Sequence, residues 1–248
     1  MKAMILAAGL GTRLKPITND IPKALVRLGD KNLLEYAILR LKKFGVSEII
    51  INIHHHADKI IDYLKGAHYS NITIELSMED QLLNTGGGLK KAAWFLKGED
   101  PFLLLNVDII SDIDLKKFAD YHRRYKGLAT VAVRTRKTKR YLLFNDDYQL
   151  IGWKSEDTGE QIIVKKETPF ILPFSFMGIH AISPEIFTKM PQKDTFSIID
   201  FYLDLAGQGE IIKAFRSNSS LWFDVGKLGN LKTLQEIIER EKRDLAED

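Results

Sequence analysis

Several features are missing from this chain, and each absence excludes a class of protein. It has no cysteine among 248 residues, which excludes disulfide bonds, thiolate metal sites and a cysteine nucleophile. No apolar run approaches membrane-spanning length, and Arg13 and Lys15 interrupt the apolar N-terminal stretch too soon for a secretory signal. The net charge of +3 is far below that of a dedicated nucleic-acid-binding protein. We therefore predict a cytoplasmic protein with neither a membrane nor a nucleic acid as its partner.

The first half of the chain alternates short apolar strands with amphipathic helices. Segments such as Glu48–Ile53 and Phe102–Val107 are almost wholly apolar, which is typical of strands buried on both faces. Apolar residues recur at helical spacing from Leu33 to Phe44, and Gly88 to Leu96 also predicts a helix. We therefore predict an α/β fold in three layers, α/β/α, with a mostly parallel mixed central sheet.

The second half of the chain is less regular. Between about 128 and 182, short strands follow one another through tight turns, and a helix is predicted over about 226–243. No repeat, low-complexity linker or composition change marks a boundary. We predict one domain over 1–248 with a mixed-sheet insertion at about 128–182.

The stretch MILAAGLGTRLKPITNDIPKAL, Met4 to Leu25, places glycines and cations in a turn that leaves a strand. A dinucleotide fingerprint requires a third glycine where this chain has Leu14, and an acidic residue after the second strand where it has His54. A P-loop requires glycine-lysine-serine or glycine-lysine-threonine, and the stretch contains neither. Both common readings of a glycine-rich turn therefore fail.

A different phosphate-binding turn remains compatible with this stretch. Glycines let a ligand approach the backbone N–H groups, and Arg13, Lys15 and Lys23 supply positive charge. Pro22 gives Lys23 a stiff support. The alternative is an ordinary loop with surface charges, which the glycines alone do not exclude.

The full pattern resembles the signature of the sugar-1-phosphate nucleotidylyltransferases, the enzymes that make nucleotide sugars. The matching elements are L-A-A-G, G-T-R, a proline, a threonine and a P-K pair. Further similar segments are LNTGGGL (Asn84 to Leu89), LLNVD (Leu104 to Asp108), FMGIHAISPEIF (Phe176 to Phe187) and WFDVG (Trp222 to Gly226). The chain is most similar to the short bacterial N-acetylmuramic acid 1-phosphate uridylyltransferases, and it lacks the hexapeptide-repeat tail of some relatives.

This resemblance implies a Rossmann-like fold of the nucleotide-diphospho-sugar transferase type. It also implies attack of a sugar 1-phosphate on the α-phosphorus of a nucleoside triphosphate, with release of pyrophosphate. Arg13 and Lys23 would be catalytic and neutralise phosphate charge. The implied nucleotide-binding residues, acting chiefly through their backbone, are Leu6, Ala7, Ala8, Gly9, Gly11, Thr12, Thr85, Gly86, Gly87 and Gly88. Close packing is an alternative role for the last three glycines.

Two aspartates match the family's metal ligands. Asp108 ends a buried strand and Asp224 lies in a second apolar run, where a carboxylate requires a partner. Their hard oxygens and the substrate phosphates favour Mg²⁺. The alternative is that one or both cap a helix or a turn.

The sugar side is less well specified. The residues implied for the sugar phosphate are Asn106, Arg140, Lys165, Glu167 and Gly178. Many relatives carry glutamate-lysine-proline where this chain reads KKETPF, Lys165 to Phe170. This departure leaves open which of Lys165, Lys166 and Glu167 contacts the substrate. The insertion at 128–182 would form the sugar-binding part of the domain.

Two conspicuous segments fit this scheme poorly. His54 to His56 suggest a metal site, but consecutive residues cannot share one face, and a loop after a strand is the simpler prediction. The basic run Arg134 to Arg140 suggests polyanion binding, but it lacks interleaved aromatics, so we predict a solvated hairpin.

The resulting prediction is a Mg²⁺-dependent uridylyltransferase acting on small molecules, as a monomer or homodimer. The alternatives are another nucleotide or acceptor, including mannose 1-phosphate with GTP or phosphocholine with CTP, a nucleotide-sugar sensor without turnover, and a nucleic-acid module built on the basic run.

Overall fold

The computed structural model describes residues 1–98, 100–165 and 170–244. The strands in these ranges are β1 (Lys2–Leu6), β2 (Arg27–Leu28), β3 (Lys31–Asn32), β4 (Glu48–Ile53), β5 (Thr73–Met78), β6 (Phe102–Asn106), β7 (Ile109–Ser111), β8 (Ala129–Arg134), β9 (Arg140–Phe144), β10 (Leu150–Ser155), β11 (Gln161–Ile163), β12 (Leu172–Ile182), β13 (Ile212–Arg216) and β14 (Trp222–Asp224). The helices are α1 (Leu33–Lys43), α2 (Ala57–Gly66), α3 (Asn84–Lys91), α4 (Ala93–Leu96), α5 (Leu115–Tyr125), α6 (Ile198–Gly207) and α7 (Leu228–Asp244).

Ten of these strands form one mixed sheet among the described residues. Strands β6, β1, β4 and β5 are parallel neighbours in that order. The antiparallel strand β12 follows β6 and pairs with both β8 and β9, and β13 adds a parallel pairing to β8. The predicted fold class is confirmed, with the parallel strands concentrated in the first half of the chain.

Helices cover both faces of the sheet and give the fold its three layers. Buried residues of α1, α2, α5 and α7 share one apolar cluster with one face of the sheet. Buried residues of α3, α4 and α6 share the other cluster. Nearly continuous apolar strands such as β4 suit this arrangement because both of their faces are buried.

The topology brings chemically useful residues to one edge. Strands β1, β4 and β6 run parallel, so their carboxyl ends open at the same edge, where α/β proteins bind ligands. The loop after β1, Asn52 near the end of β4 and Asp108 after β6 therefore meet. The ribbon of β7 and β14 brings Asp224 to the same place.

Several local predictions need correction. The helix predicted from Gly88 begins earlier, at Asn84, and is followed by a separate short helix, α4. The run Arg134 to Arg140 is not a hairpin, because β8 and β9 both pair with β12 and, within the described residues, not with each other. Elements α5 and β13 have no counterpart among the predicted ones.

The missed helix α5 has a physical explanation. Its buried face is Leu115, Phe118, Ala119 and His122, which have helical spacing, but a histidine occupies the last position. A search for apolar periodicity alone overlooks that face.

In the described ranges no helix combines the length and the apolar character needed to cross a membrane.

Candidate active site

The loop after β1 is a tight turn held together by its own residues. Gly11 has a φ of +65°, and its carbonyl accepts a 2.8 Å hydrogen bond from Thr18 Oγ1. A Cβ at Gly11 would lie 3.0–3.2 Å from side-chain atoms of Thr18 and Lys23. Glycine is therefore favoured here by both backbone conformation and space. The turn leads through Thr12 into a short 3₁₀ segment that presents Arg13 at the sheet edge.

Four charged side chains of alternating sign lie at this edge, and we call them the ion cluster: Lys23, Asp108, Arg13 and Asp224. Lys23 Nζ is 2.9 Å from Asp108 Oδ2. Arg13 is 3.8 Å from the same oxygen through Nη2 and 3.7 Å from Asp224 Oδ2 through Nη1. Asp108 is only 4% exposed, and such a carboxylate requires a paired cation. The Arg13 side chain is 56% exposed and is the member with most freedom to turn toward a ligand.

The two carboxylates converge because of the β7–β14 ribbon. Asp224 lies opposite Ile109 in this ribbon, and Val225 N donates to Asp108 O at 2.9 Å. A Cβ at Gly226 would lie 2.2 Å from Asp108 Oδ2 and 3.0 Å from Asp224 Oδ1. Only a glycine leaves room for both oxygens at this point.

The donor set of the two aspartates fits a hard divalent cation. Both supply carboxylate oxygens, which such cations prefer, and phosphate oxygens and water would complete the coordination. Across the described ranges, no group of three His, Cys, Asp or Glu side chains could hold a metal. A metal at Asp108 and Asp224 would therefore need ligands from the substrate.

A cavity of about 240 Å³ opens beside the ion cluster. The predicted site residues on its walls are Leu6, Ala8, Gly9, Arg13, Lys23, Thr85, Asn106 and Asp108. Its remaining walls are Asn52, Glu79, Leu82 and Asn84, which were not predicted. The cavity is thus lined both by charged side chains of the ion cluster and by residues of the segment from Glu79 to Thr85.

Asn52 and Glu79 fix the back of this cavity. Asn52 Oδ1 accepts a 2.8 Å hydrogen bond from Ala7 N, and Asn52 Nδ2 donates to Glu79 Oε1 at 2.7 Å. The other Glu79 oxygen accepts from Leu83 N at 3.1 Å. The buried carboxylate is thus satisfied, and the end of β1 is tied to the loop before α3. A polar residue inside the run IIINI was the available signal for Asn52.

The glycine triplet lies behind the cavity. Gly86 and Gly87 both donate their N–H groups to Phe196 O, at 2.9 and 3.3 Å. A Cβ at Gly87 would lie 2.0 Å from Asp194 O, and one at Gly88 would lie 2.7 Å from Glu79 Oε1. This placement fits the packing alternative, and Thr85 is the residue of the segment that faces the cavity.

The predicted sugar-side residues occupy more than one place. Gly178, with a φ of +75°, sits in an irregular part of β12, and a Cβ there would lie 3.0 Å from Asn106 Nδ2. Arg140 instead lines a second cavity of about 260 Å³, together with Trp153, Phe176 and Ser197 among others. The two cavities are neighbours, since Thr85 Oγ1 accepts a 3.0 Å hydrogen bond from Ile198 N.

The KKETPF segment is only partly described. Lys165 follows β11 and is half-buried. Lys166 and Glu167 lie outside the described residues.

The three histidines lie in the loop that was predicted for them. His54 Nδ1 lies 2.7 Å from Glu79 O, and His56 Nε2 lies 3.2 Å from Asn19 O. These contacts connect the loop to neighbouring backbone. They account for two of the histidines without a metal.

Comparison with known proteins agrees with this geometry. A model of the family described as nucleotidyl transferase matches residues 2–241. The chain belongs to the nucleotidyl transferase family. This nucleotidyl transferase is 30% identical over 233 residues to N-acetylmuramate alpha-1-phosphate uridylyltransferase of Caulobacter vibrioides, covering 90% of this chain and 91% of that protein. It is 31% identical to a mannose-1-phosphate guanyltransferase of Debaryomyces hansenii, covering 92% of this chain but 61% of that protein. The enzyme is thus a sugar-1-phosphate nucleotidyltransferase.

Solved structures share the fold. HddC from Yersinia pseudotuberculosis superposes with a TM-score of 0.76 at 26% identity, covering 96% of this chain and 99% of that one. A second HddC structure contains GMP-PN. UDP-glucose pyrophosphorylase from Acinetobacter baumanii has a TM-score of 0.72 at 16% identity over 100% of this chain and 99% of that one, a likeness of fold alone. The family typically uses a divalent metal, which suits the paired aspartates.

Proposed function

We propose that this nucleotidyl transferase moves UMP from UTP to N-acetylmuramic acid 1-phosphate in a Mg²⁺-dependent reaction. The ion cluster beside the cavity is the observation that carries the proposal, because it puts two cations and two metal-type carboxylates where phosphates would meet. The nucleotide and sugar are supported by the Caulobacter relative, which aligns over nearly the whole of both chains.

The reaction requires positioning and charge neutralisation. A phosphate oxygen of the sugar 1-phosphate forms a bond to the α-phosphorus of UTP, and the bond from that phosphorus to the oxygen bridging to the β-phosphate breaks. Pyrophosphate takes the electron pair and leaves. The attacking oxygen is already ionised, so neither a protein nucleophile nor a general base is needed.

Each member of the ion cluster has a role in this scheme. Asp108 and Asp224 would hold Mg²⁺, which when bound supplies positive charge and orients the phosphates. Arg13 and Lys23 then face the triphosphate, and the open backbone at Gly9 lies next to Lys23 Nζ. In the described structure the two cations balance the two carboxylates. With the carboxylates engaged by a metal, Arg13 and Lys23 would be available to bind phosphate.

The second candidate is transfer of GMP to mannose 1-phosphate. It is favoured by the match to mannose-1-phosphate guanyltransferases and by the likeness to HddC, which was solved with GMP-PN. The walls of the cavity near Asn84 and Thr85 offer few side chains for base recognition, so both nucleotides remain candidates.

The test is a matrix of substrates with pyrophosphate release as the readout. UTP and GTP are each combined with Mg²⁺ and one of four sugar 1-phosphates: N-acetylmuramic acid, N-acetylglucosamine, glucose or mannose 1-phosphate. We expect the largest kcat/KM for UTP with N-acetylmuramic acid 1-phosphate. A larger value for GTP with mannose 1-phosphate would replace the proposal by the second candidate, and silence in every well would refute both.

A further inference from the structure

The acceptor phosphate requires a cation that the ion cluster does not supply. Arg13 and Lys23 come from the loop after β1 and are committed to the triphosphate in the proposed reaction. The acceptor must approach the α-phosphorus opposite to the leaving pyrophosphate, and its own negative charge opposes that approach. This chain reads KKETPF where many relatives have glutamate-lysine-proline. The acceptor-side cation is therefore sought among the other cations near the ion cluster.

Arg136, in the connection between β8 and β9, packs against β14, the strand that carries Asp224. Its guanidinium lies over the Trp222 ring, 4.6 Å from the ring centroid, and its Nε lies 3.4 Å from Ser175 Oγ. Partial burial lowers the pKa of Arg136, and the negative charge of Asp224 acts in the opposite direction, which marks the two as electrostatic neighbours. Among the described residues, neither terminal nitrogen of this guanidinium has a hydrogen-bond or ion-pair partner.

The platform under Arg136 is connected to the site on both sides. Trp222 Nε1 donates a 2.9 Å hydrogen bond to Met177 O, next to the irregular part of β12 at Gly178. Trp222 and Asp224 are two residues apart in β14, so they share one face of that strand. A group bound by the free end of Arg136 would thus lie near β14, which carries Asp224, and near the part of β12 that contains Gly178.

We propose that Arg136 is a catalytic residue that binds the phosphate of the incoming sugar 1-phosphate, using Trp222 as its support. A planar guanidinium with two free terminal nitrogens is suited to bidentate contact with phosphate oxygens. The inference rests on the proposed transfer to a sugar 1-phosphate, and it adds a residue from the basic run to the acceptor side.

Arg134 supplies a matched control. It also lies over Trp222, with its guanidinium 5.9 Å from the ring centroid, but its Nη2 lies 3.4 Å from Asn218 O. Both arginines therefore belong to the same basic run and contact the same ring. Only Arg136 has both terminal nitrogens free for a ligand. Loss of general positive charge or of ring packing should affect the two variants alike.

The experiment compares Arg136→Gln, Arg136→Lys and Arg134→Gln with the wild type. For Arg136→Gln we expect the KM for the sugar 1-phosphate to rise about 10- to 100-fold, the size of a lost charged hydrogen bond. The KM for the nucleoside triphosphate should stay within about twofold, because that substrate lies on the other side of the carboxylates. Arg136→Lys should recover part of the loss, and Arg134→Gln should leave both KM values within about twofold. Equal effects of the two glutamine variants would overturn the proposal.

Calorimetry separates this inference from the proposed reaction. Titration of each of the four sugar 1-phosphates of the substrate matrix into the enzyme needs no turnover. If the wild type gives no product with any substrate pair, the proposed reaction is refuted. The binding measured by calorimetry then still tests whether Arg136 binds the sugar 1-phosphate. Binding lost in Arg136→Gln and kept in Arg134→Gln supports Arg136 as the acceptor-phosphate ligand. Equal binding to all variants, or none to the wild type, refutes it.

Discussion

The two ends of strand β6 carry polar clusters that are built in different ways. At the carboxyl end, Asp108 belongs to the ion cluster, where the contacts to Arg13 are 3.7–3.8 Å long and a cavity lies alongside. Full charges of both signs are gathered there at distances that a ligand or a metal can rearrange. The two cations and two carboxylates of this cluster balance in charge, but the contacts of Arg13 are longer than hydrogen bonds.

At the amino end, Asp100 begins a short chain of hydrogen bonds. Ser183 Oγ donates to Asp100 Oδ1 at 3.0 Å. The two ring nitrogens of the buried His122 lie 3.0 Å from Ser183 Oγ and 2.9 Å from Thr130 Oγ1. Burial lowers the pKa of His122 to about 4, so its ring is neutral near pH 7. These hydrogen bonds join α5 and β8 to the residue that follows β12.

The comparison teaches how to distinguish a site from a structural network. Each cluster contains a buried polar side chain, Asp108 in one and His122 in the other, so burial alone does not mark function. The structural network closes on itself with short hydrogen bonds between mostly neutral groups. The candidate site instead gathers full charges of both signs, with Arg13 3.7–3.8 Å from two carboxylates, an arrangement that is costly unless a ligand uses it. Substitutions at the carboxyl end should therefore change activity, and those at the amino end should change stability.

The largest effect is expected for Asp108→Asn. It removes one of two carboxylates proposed to hold the metal, and we expect kcat/KM to fall by about 10³-fold or more, about 4 kcal/mol in the activation barrier. The measurement is pyrophosphate release, with thermal unfolding to show that the fold is retained. Asp194→Asn is the matched control, since Asp194 is exposed and pairs with Lys90 at 2.9 Å. Near-normal turnover of Asp108→Asn would remove that residue from the metal site.

Lys23→Met should have the next largest effect. It deletes a cation proposed to stabilise charge on the triphosphate in the transition state, and kcat should fall about 10²–10³-fold. It also leaves the buried Asp108 without its 2.9 Å partner, so a loss of stability should accompany the loss of activity. Lys31→Met serves as the control, because Lys31 pairs with its neighbour Asp30 on the surface. Equal kinetics for the two variants would contradict the role given to Lys23.

Two glycine substitutions sharpen the comparison within one segment. A Cβ at Gly226 would lie 2.2 Å from Asp108 Oδ2 and 2.9 Å from Arg13 Nη2, so Gly226→Ala must displace the ion cluster. Displacement of reacting groups by about 1 Å can cost about 10²-fold in rate, and we expect a loss of that order in kcat. A Cβ at Gly229, in α7, would meet nothing within 4 Å. Gly229→Ala should keep full activity and gain up to about 1 kcal/mol of stability. Similar activities for both variants would show that the spacing at Gly226 is not critical.

Much of this architecture could be predicted from local patterns. Alternating apolar strands and helices indicate the layered fold, and the residues of the opening turn resemble a long family signature. The same resemblance, and not periodicity, implied that Asp108 and Asp224 act together. Their convergence depends on the pairing of β7 with β14, two three-residue strands that carry little pattern of their own.

The remaining parts of the site depend on contacts between distant segments. Asn52 meets Glu79 because β4 and β5 pair with Asn52 opposite Ser77, a register that the sequence does not display. The glycine triplet looks like the start of a helix or a phosphate turn, but the approach of the backbone at Asp194 and Phe196 explains it. In the sequence Arg136 is one of several charges in a basic run, and only the fold places Trp222 beneath its guanidinium.

The smallest expected effect lies at the amino end and concerns pH. The pKa of His122 is lowered to about 4 and that of the buried His180 to about 3, against about 6.5 when unfolded. Each therefore contributes stability that is fully present above pH 6.5 and is lost as the pH falls toward its folded value. Between pH 7.5 and 5 we expect each histidine to lower the free energy of unfolding by about 2 kcal/mol.

Urea unfolding of His122→Gln at these two pH values tests that expectation. The variant should lose roughly half of the pH-dependent change that comes from the two histidines, while its kcat at pH 7.5 stays near that of the wild type because the network is remote from the ion cluster. His68→Gln, at an exposed position, is the control for removal of a histidine. An unchanged pH dependence in His122→Gln would mean that His122 is not kept neutral by burial. A large loss of kcat would show that the network at the amino end of β6 also contributes to activity, and it would contradict the purely structural role given to that network.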